Sequence, residues 1–429
     1  MEFGIGELIE LLKPREVSID KNCTVRGFSI DSRTIKGGEA FVGIRGGRFD
    51  GVDFACDAVR KAKTFAIVEK RINCPHMVVD DALEALKRLA AFKLKKSKAV
   101  SIAVVGSVGK TTTKELVADF LSCRYSVCRS FENENNAIGV CKTLLRVEDE
   151  DFCVVEVGIN RPGEMEGIAA FFKPDNVLFL NVAPTHIGNF KNIEVIFEEK
   201  SKIIGDGAKL VYNADDVMLK EAFENRDNSF GFCFLHDCAF RAKGNERIQV
   251  KDTIFEKPFG LNPYTVLAAY SAAEVFGGFE DGECFKNKLA SFEPVGYRMR
   301  REVLKDRLFI LDCYNANVNS MKHAIDELSK LSGRKLAILG DMFELGDMSE
   351  EFHREVGRYL NNKGVELLAV GRDAFFIFEG FLGRKHYLKT KVEAVEFLRD
   401  RLSEYDVILL KASRGMRLED IFEQLRGSQ

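Results

Sequence analysis

Short apolar runs recur along the chain and alternate with stretches of helical period. FAIVEK, SIAVVG, FCVVEVG, NVLFLNVAP, KLVYNADD, LFILDCYNAN, KLAILGDM, LLAVGR and VILLKASRG read as buried strands, several ending in Gly, Asn, Asp or Ser. TTTKELVADFLSC, IEVIFEEKSKII and SMKHAIDELSKL read as helices. The alternation is the βαβ signature of an α/β chain with mostly parallel sheets. In such sheets ligands sit at the carboxyl ends of strands, so the residues just after each run matter most. MEFGIGELIELLKPRE reads as a short amphipathic helix, not a leader, because acids lie near its start and it lacks a cleavable apolar core. Two seams divide the chain. KLKKSKAV at 93–100 is a basic link, and EPVGYRMRREVL at 293–304 has Pro, Gly and an Arg cluster. Three domains are expected: 1–96, 97–296 and 297–429. No fixed-period repeat is visible.

Composition narrows the classes. Of 429 residues, 46% are apolar and 30% charged, enough for a large core and against disorder. Lys+Arg at 63 nearly balances Asp+Glu at 66, which gives no reason to expect binding to nucleic acid or anionic membranes. No apolar run reaches the roughly 18 residues of a membrane span. Eleven cysteines are scattered without a framework and read as reduced thiols in a cytoplasm. Cys233, His236 and Cys238 lack a fourth ligand and fit no zinc template.

The strongest chemical signal is SIAVVGSVGKTTTKELVADFL. A strand runs into Gly106-Ser107-Val108-Gly109-Lys110-Thr111-Thr112 and then a helix. Glycines let backbone N–H groups close around phosphate oxygens, and the helix N-terminus adds its positive dipole end. Lys110 can reach the β- and γ-phosphates, and a Thr hydroxyl can bind Mg²⁺. Val104 stands where the full Walker pattern has its first Gly, so the match is to a shorter form. Glu156 ends a strand that belongs in a sheet core. A carboxylate there is costly unless it is paired or holds a metal. His186 falls in a loop after another strand, and Lys200 on a helix beyond it. Asn135 and Asn136 suit phosphate or metal-bound water, or else cap a helix. Asp312, Asn315 and Asn317 follow a strand, where an Asp often receives ribose hydroxyls. Asp341 and Glu344 flank a loop, and Ser349 fits a helix N-cap with Glu350 and Glu351 in the first turn. Lys411, Ser413 and Arg414 form a cationic, hydroxyl-bearing group apt for a carboxylate, or a basic surface turn. Asp31-Ser32-Arg33 and GIRGGRFDG could form an anion-binding surface.

These motifs, in order and over nearly the whole chain, resemble the Mur ligases, ATP-dependent amide-forming enzymes of peptidoglycan synthesis. DSR with FVGIRGGRFDG is similar to the family's uridine-nucleotide domain. GSVGKTT, NENNAIGV, VVEVGINRPGEM and THIGNF with the following EEK resemble its central domain, and DCYNANVNSM, LGDMFELG and KASR its C-terminal domain. The resemblance implies a uridine-nucleotide-binding N-terminal domain, a central P-loop ATPase domain and a Rossmann-like C-terminal domain. It implies ATP and two Mg²⁺ sites as cofactors, and UDP-N-acetylmuramoyl-tripeptide and D-alanyl-D-alanine as substrates of a cytoplasmic monomer. By it, Gly106 to Thr112 and Lys110 hold the ATP phosphates. Thr111 or Thr112 helps hold Mg²⁺. Glu156 and His186 bind a second Mg²⁺, supported by a carbamylated Lys200. Asn262, Arg298 and Asp312 contact ATP. Ser32 and Arg33 lie near the uridine diphosphate, and Asn135, Asn136, Asn315, Asn317, Lys411, Ser413 and Arg414 line the substrates.

The chain departs from the family pattern at Leu261 and Thr265 around Asn262, at Ala412 in KASR, and at Tyr297 inserted between Gly296 and Arg298. Three other readings share some of these motifs. The tripeptide-forming member of the family carries Asp-Asn-Pro-Arg and Gly-Lys-Gly-His-Glu strings, and neither occurs here. A folylpolyglutamate synthase begins close to its phosphate loop, whereas a long first part with a DSR motif precedes it here. A P-loop regulatory ATPase needs no acceptor domain and no amine.

Overall fold

The computed structural model describes all residues except 21, 22, 48, 186, 428 and 429. The expected site residue His186 therefore lies outside the described residues, as does Arg48 of the Gly-rich segment. The nine expected runs all contain strands, and the fold is α/β with mainly parallel sheets.

Three large sheets follow one another along the chain. The first orders its strands Glu16–Ser18, His76–Val78, Ala66–Val68, Glu39–Val42 and Gly27–Ser29, antiparallel only at the first pair. The second has nine strands. Val127–Arg129, Phe152–Glu156, Val100–Val105, Asn176–Phe179, Lys209–Asn213, Ser229–Cys233 and Phe240–Lys243 run parallel. Arg247–Val250 and Thr253–Glu256 extend it antiparallel. The third orders Arg300–Leu304, Arg307–Asp312, Val407–Lys411, Lys335–Gly340, Glu366–Val370 and Lys385–Leu388, antiparallel only at its first pair.

Continuous apolar runs are needed because both faces of the central sheet are covered. Along Val100–Val105, Ile102 and Val104 face one core while Ala103 and Val105 face another. At about 1.5–3 kcal/mol per fully buried Val or Ile, each such strand is strongly held. The third sheet splits likewise, with Ile310 on one side and Phe309 and Leu311 on the other.

Two expectations are corrected. The basic stretch at 93–100 is not a loose link, because the helix Ala82–Ser97 runs through it. Lys93 is fully buried there, paired with Glu148 at 2.7 Å, and one core is continuous from Phe3 and Leu86 to Val140 and Val155. The cysteines are not all reduced thiols. Cys56–Cys74, Cys123–Cys284 and Cys233–Cys238 are disulfides, with Cα atoms 5.6, 6.1 and 6.3 Å apart. Cys123 and Cys284 lie 161 residues apart in sequence, so only tertiary packing brings them together.

The third sheet docks on the central one through polar contacts. The Glu327 carboxylate accepts from the Gly260 N–H at 2.8 Å and lies 3.6 Å from the buried Lys257 ammonium. Gly188 N–H donates to the Glu344 carbonyl at 3.3 Å.

Candidate active site

Between the strand Val100–Val105 and the helix Lys110–Leu121 the chain turns through Gly106 and Gly109, with φ of 154° and 86°. A Cβ on Gly106 would stand 3.0 Å from the Leu180 Cβ, so conformation and space both demand glycine. Lys110 folds back over the loop, and its Nζ donates to the Gly106 and Ser107 carbonyls at 2.9 and 3.2 Å. Burial pushes the Lys110 ammonium below the ordinary lysine value; Glu156 opposes this and Arg298 adds to it.

Motif reading missed the brace beneath the loop. Asn181 accepts from the Val108 N–H at 2.9 Å and donates to the Val108 carbonyl at 3.0 Å. Ser107 Oγ donates to the Ala183 carbonyl at 3.0 Å. The signal was available, since Asn181 follows an apolar run whose strand adjoins the phosphate loop. The Val108 N–H, expected at the phosphates, is thus bonded to Asn181. Donors for an anion come from the first turn of the helix, Lys110 to Thr112, whose N–H groups have no intrahelical acceptors.

Glu156 ends the strand Phe152–Glu156 and is 1% exposed. Asn135 Nδ2 donates to its Oε1 at 2.9 Å, while Oε2 is buried without a hydrogen-bond partner. An orphaned buried carboxylate oxygen is costly, and a hard divalent cation is the partner that suits it. The open Glu156 oxygen, with the Asn135 amide on its partner oxygen, is chemically suited to a hard cation such as Mg²⁺. Lys200, on the helix Ile193–Ser201, is buried and donates to the Gly106 carbonyl at 3.1 Å. Burial, and then the charge on Lys110, push its ammonium well below the usual range.

Arg298 reaches in from beside the third sheet. Its guanidinium donates to Thr111 Oγ1 at 2.9 Å and stacks 3.8 Å over the Tyr314 ring. Asp312 pairs with Lys411, which is buried and also donates to the Asn315 carbonyl at 3.1 Å. Lys411 is therefore not an open cation for a substrate carboxylate. Ser413 Oγ accepts from the Phe343 N–H at 2.9 Å, and Arg414 pairs with Glu419. Three expected ligands cap helices through their side-chain oxygens. Asn136 accepts from Gly139 N–H, Asn262 from Tyr264 N–H and Asn317 from Ser320 N–H, each at 2.9 Å. The turn with Ser32 and Arg33 belongs to the first sheet. The Arg33 guanidinium holds the Asp31 carboxyl down to about 2, and Lys61 donates to the Ser32 carbonyl at 3.4 Å.

A braced phosphate loop, a buried carboxylate with an open oxygen and an arginine arm from another sheet define an ATP-using α/β enzyme assembled from separate sheets. Comparison with known proteins narrows the class. The Mur ligase middle domain matches residues 104–258, and the Mur ligase glutamate ligase domain matches 298–414. The chain belongs to the Mur ligase family. The UDP-N-acetylmuramoyl-tripeptide--D-alanyl-D-alanine ligase of Bacillus subtilis (strain 168) is 31% identical over 434 residues, 94% of this chain and 93% of that protein. The structure of MurF from Acinetobacter baumannii superposes with a TM-score of 0.89 at 26% identity, covering 100% of this chain and 99% of that one. MurF ligase from Thermotoga maritima in complex with ADP gives 0.82 at 27% identity, over 94% and 99%. Among the described residues, no helix is long and apolar enough to cross a membrane.

Proposed function

We propose that this chain joins D-alanyl-D-alanine to UDP-N-acetylmuramoyl-tripeptide at the expense of ATP, the activity for which its relatives are named. The observation that carries this reading is likeness along nearly the full length to those ligases. In the first step the tripeptide carboxylate attacks the γ-phosphorus of ATP; the P–O bond to ADP breaks and an acyl phosphate forms. In the second the dipeptide amine attacks the acyl carbon, loses a proton, and phosphate leaves. The first step brings anions together, so cationic groups must neutralise them. Lys110 and the helix N-terminus serve the phosphates, and Arg298 adds charge from the third sheet. Glu156, with Asn135 and Thr111, is suited to hold Mg²⁺, which when bound supplies further neutralisation on the phosphate oxygens.

Lys200 is the residue we assign to carbamylation. Its buried amine is disposed to lose its proton, and the neutral amine adds to CO₂, forming an N–C bond and releasing a proton. The anionic product would support Mg²⁺ where an ammonium would repel it. Residues 1–96, 97–296 and 297–429 are the corresponding domains, for the uridine nucleotide, for ATP, and for ATP with the dipeptide. We take the reaction to be cytoplasmic, where ATP is available, and the chain to act as a monomer.

The test is phosphate release from ATP with UDP-N-acetylmuramoyl-tripeptide, with and without D-alanyl-D-alanine. Release that requires both acceptors is expected. Release indifferent to them leaves a P-loop ATPase and removes the ligase reading.

A further inference from the structure

The helix Lys110–Leu121 carries a second lysine one turn beyond Lys110. Lys114 is fully buried, and its ammonium has an ion pair with Glu115 at 2.6 Å. It also donates to two backbone carbonyls of the segment that follows the strand Val127–Arg129: Ser130 at 2.6 Å and Glu132 at 3.2 Å. Glu132 has φ 45°, a conformation that a residue with a Cβ adopts only when its surroundings hold it there. The clamped segment leads straight to Glu156. Ser130 Oγ accepts from the Glu156 N–H at 2.9 Å and from Thr143 Oγ1 at 3.2 Å. Three residues past Glu132, Asn135 donates to Glu156 Oε1, and its carbonyl accepts from Gly158 N–H at 2.8 Å. A Cβ on Gly158 would meet the Asn135 amide at 3.1 Å, so that side chain has little room to choose another pose.

We propose that Lys114 is a positioning residue for the metal-binding side of the active site. Its buried ammonium pins the Ser130–Glu132 backbone to the phosphate-loop helix and so sets the Asn135–Glu156 pair in register with the phosphate loop. One rigid helix then carries both halves of the arrangement: Lys110 and Thr111 for the phosphates, and Lys114 for the loop that aims the carboxylate. A burial role alone would be met by any long apolar side chain. Two carbonyls and the Glu115 carboxylate converging on one ammonium require the charge.

The inference rests on reading Glu156 as a metal ligand, and its test needs neither acceptor substrate. Mn²⁺ is titrated onto the full-length, ADP-loaded protein and followed by electron paramagnetic resonance. Lys114→Met should weaken Mn²⁺ binding about 10-fold or more, as loss of groups orienting a ligand commonly does, while metal-free ADP affinity changes less than about twofold. Lys114→Arg should restore much of the Mn²⁺ affinity. In a cycle with Asn135→Ala, the double variant should bind Mn²⁺ no worse than Asn135→Ala alone. Unchanged Mn²⁺ affinity in folded Lys114→Met, or additive losses in the cycle, overturns the proposal. Should Lys114→Met not fold, Lys114→Gln, which keeps a donor for the two carbonyls but no charge, gives the reading: weakened Mn²⁺ binding supports the proposal and wild-type affinity overturns it. Failure of wild type to release phosphate in an amine-dependent way would remove the ligase reading and leave these metal-binding outcomes readable.

Discussion

Lys110 shows how a single position combines conformation and charge. Two glycines with positive φ bend the loop back, and the ammonium lies over the carbonyls of Gly106 and Ser107. If electrostatic neutralisation dominates phosphoryl transfer, Lys110→Ala slows ADP formation in a rapid-quench experiment by about 10³-fold or more. A near-normal rate would remove Lys110 from the chemistry. His353 offers a second test, away from the phosphates. It is fully buried; its Nε2 accepts from Met342 N–H at 2.9 Å, so Nδ1 carries the proton and donates to the Ser349 carbonyl at 2.6 Å. Burial holds its pKa below the usual histidine value. The unfolded chain then binds a proton more readily, so the stability it contributes is present above the unfolded pKa and is lost as pH falls through the folded one. The melting temperature should drop between pH 7 and pH 5 in wild type and drop less in His353→Gln. Parallel curves would contradict this assignment.

Among the elements, the parallel strands were legible because burial on both faces leaves long apolar runs, and the phosphate loop because its spacing is rigidly set. The antiparallel extension at 247–256 was not, since short strands of mixed polarity such as Arg247–Val250 carry little pattern. Ser349 was expected to cap a helix. It is instead the first residue of Ser349–Leu360, and its hydroxyl donates to Asp373 at 2.8 Å. The pairing of cysteines was also beyond reading, because spacing says nothing about Cys123 and Cys284. That disulfide fastens the end of the phosphate-loop helix to the helix Gly282–Ala290. Thiol titration of the unreduced, unfolded protein should find five free thiols, those of Cys23, Cys128, Cys141, Cys153 and Cys313. Eleven would mean that the bonds do not form. Cys284→Ser should lower unfolding stability by about 2–5 kcal/mol, measured by denaturant titration.

For the whole molecule, the two seams differ in kind. A continuous apolar core crosses the first, while charged groups dominate the second. Glu327 there meets the buried Lys257, the Gly260 N–H and Lys330, and His323 Nε2 lies 3.0 Å from the Gly260 carbonyl. Glu327→Gln leaves Lys257 buried with weaker compensation, a defect of about 3 kcal/mol when a buried pair is broken. Solution scattering should show a larger radius of gyration for this variant than for wild type, and more so at high salt. An identical radius would mean that the latch does not hold the third sheet in place.

The sequence by itself determined the α/β class, the glycine turn from strand to helix and the family, because each rests on local pattern: period, glycine placement and residue spacing. Tertiary structure alone decided which groups meet. It placed Asn181 under the loop, paired Lys411 with Asp312, and brought Arg298 across a seam to Thr111. The physical reason is the same each time. A polar side chain takes the partner that packing brings within hydrogen-bond reach, and partners 73 residues apart, as Asn181 and Val108 are, or 187 apart, as Arg298 and Thr111 are, leave no local trace.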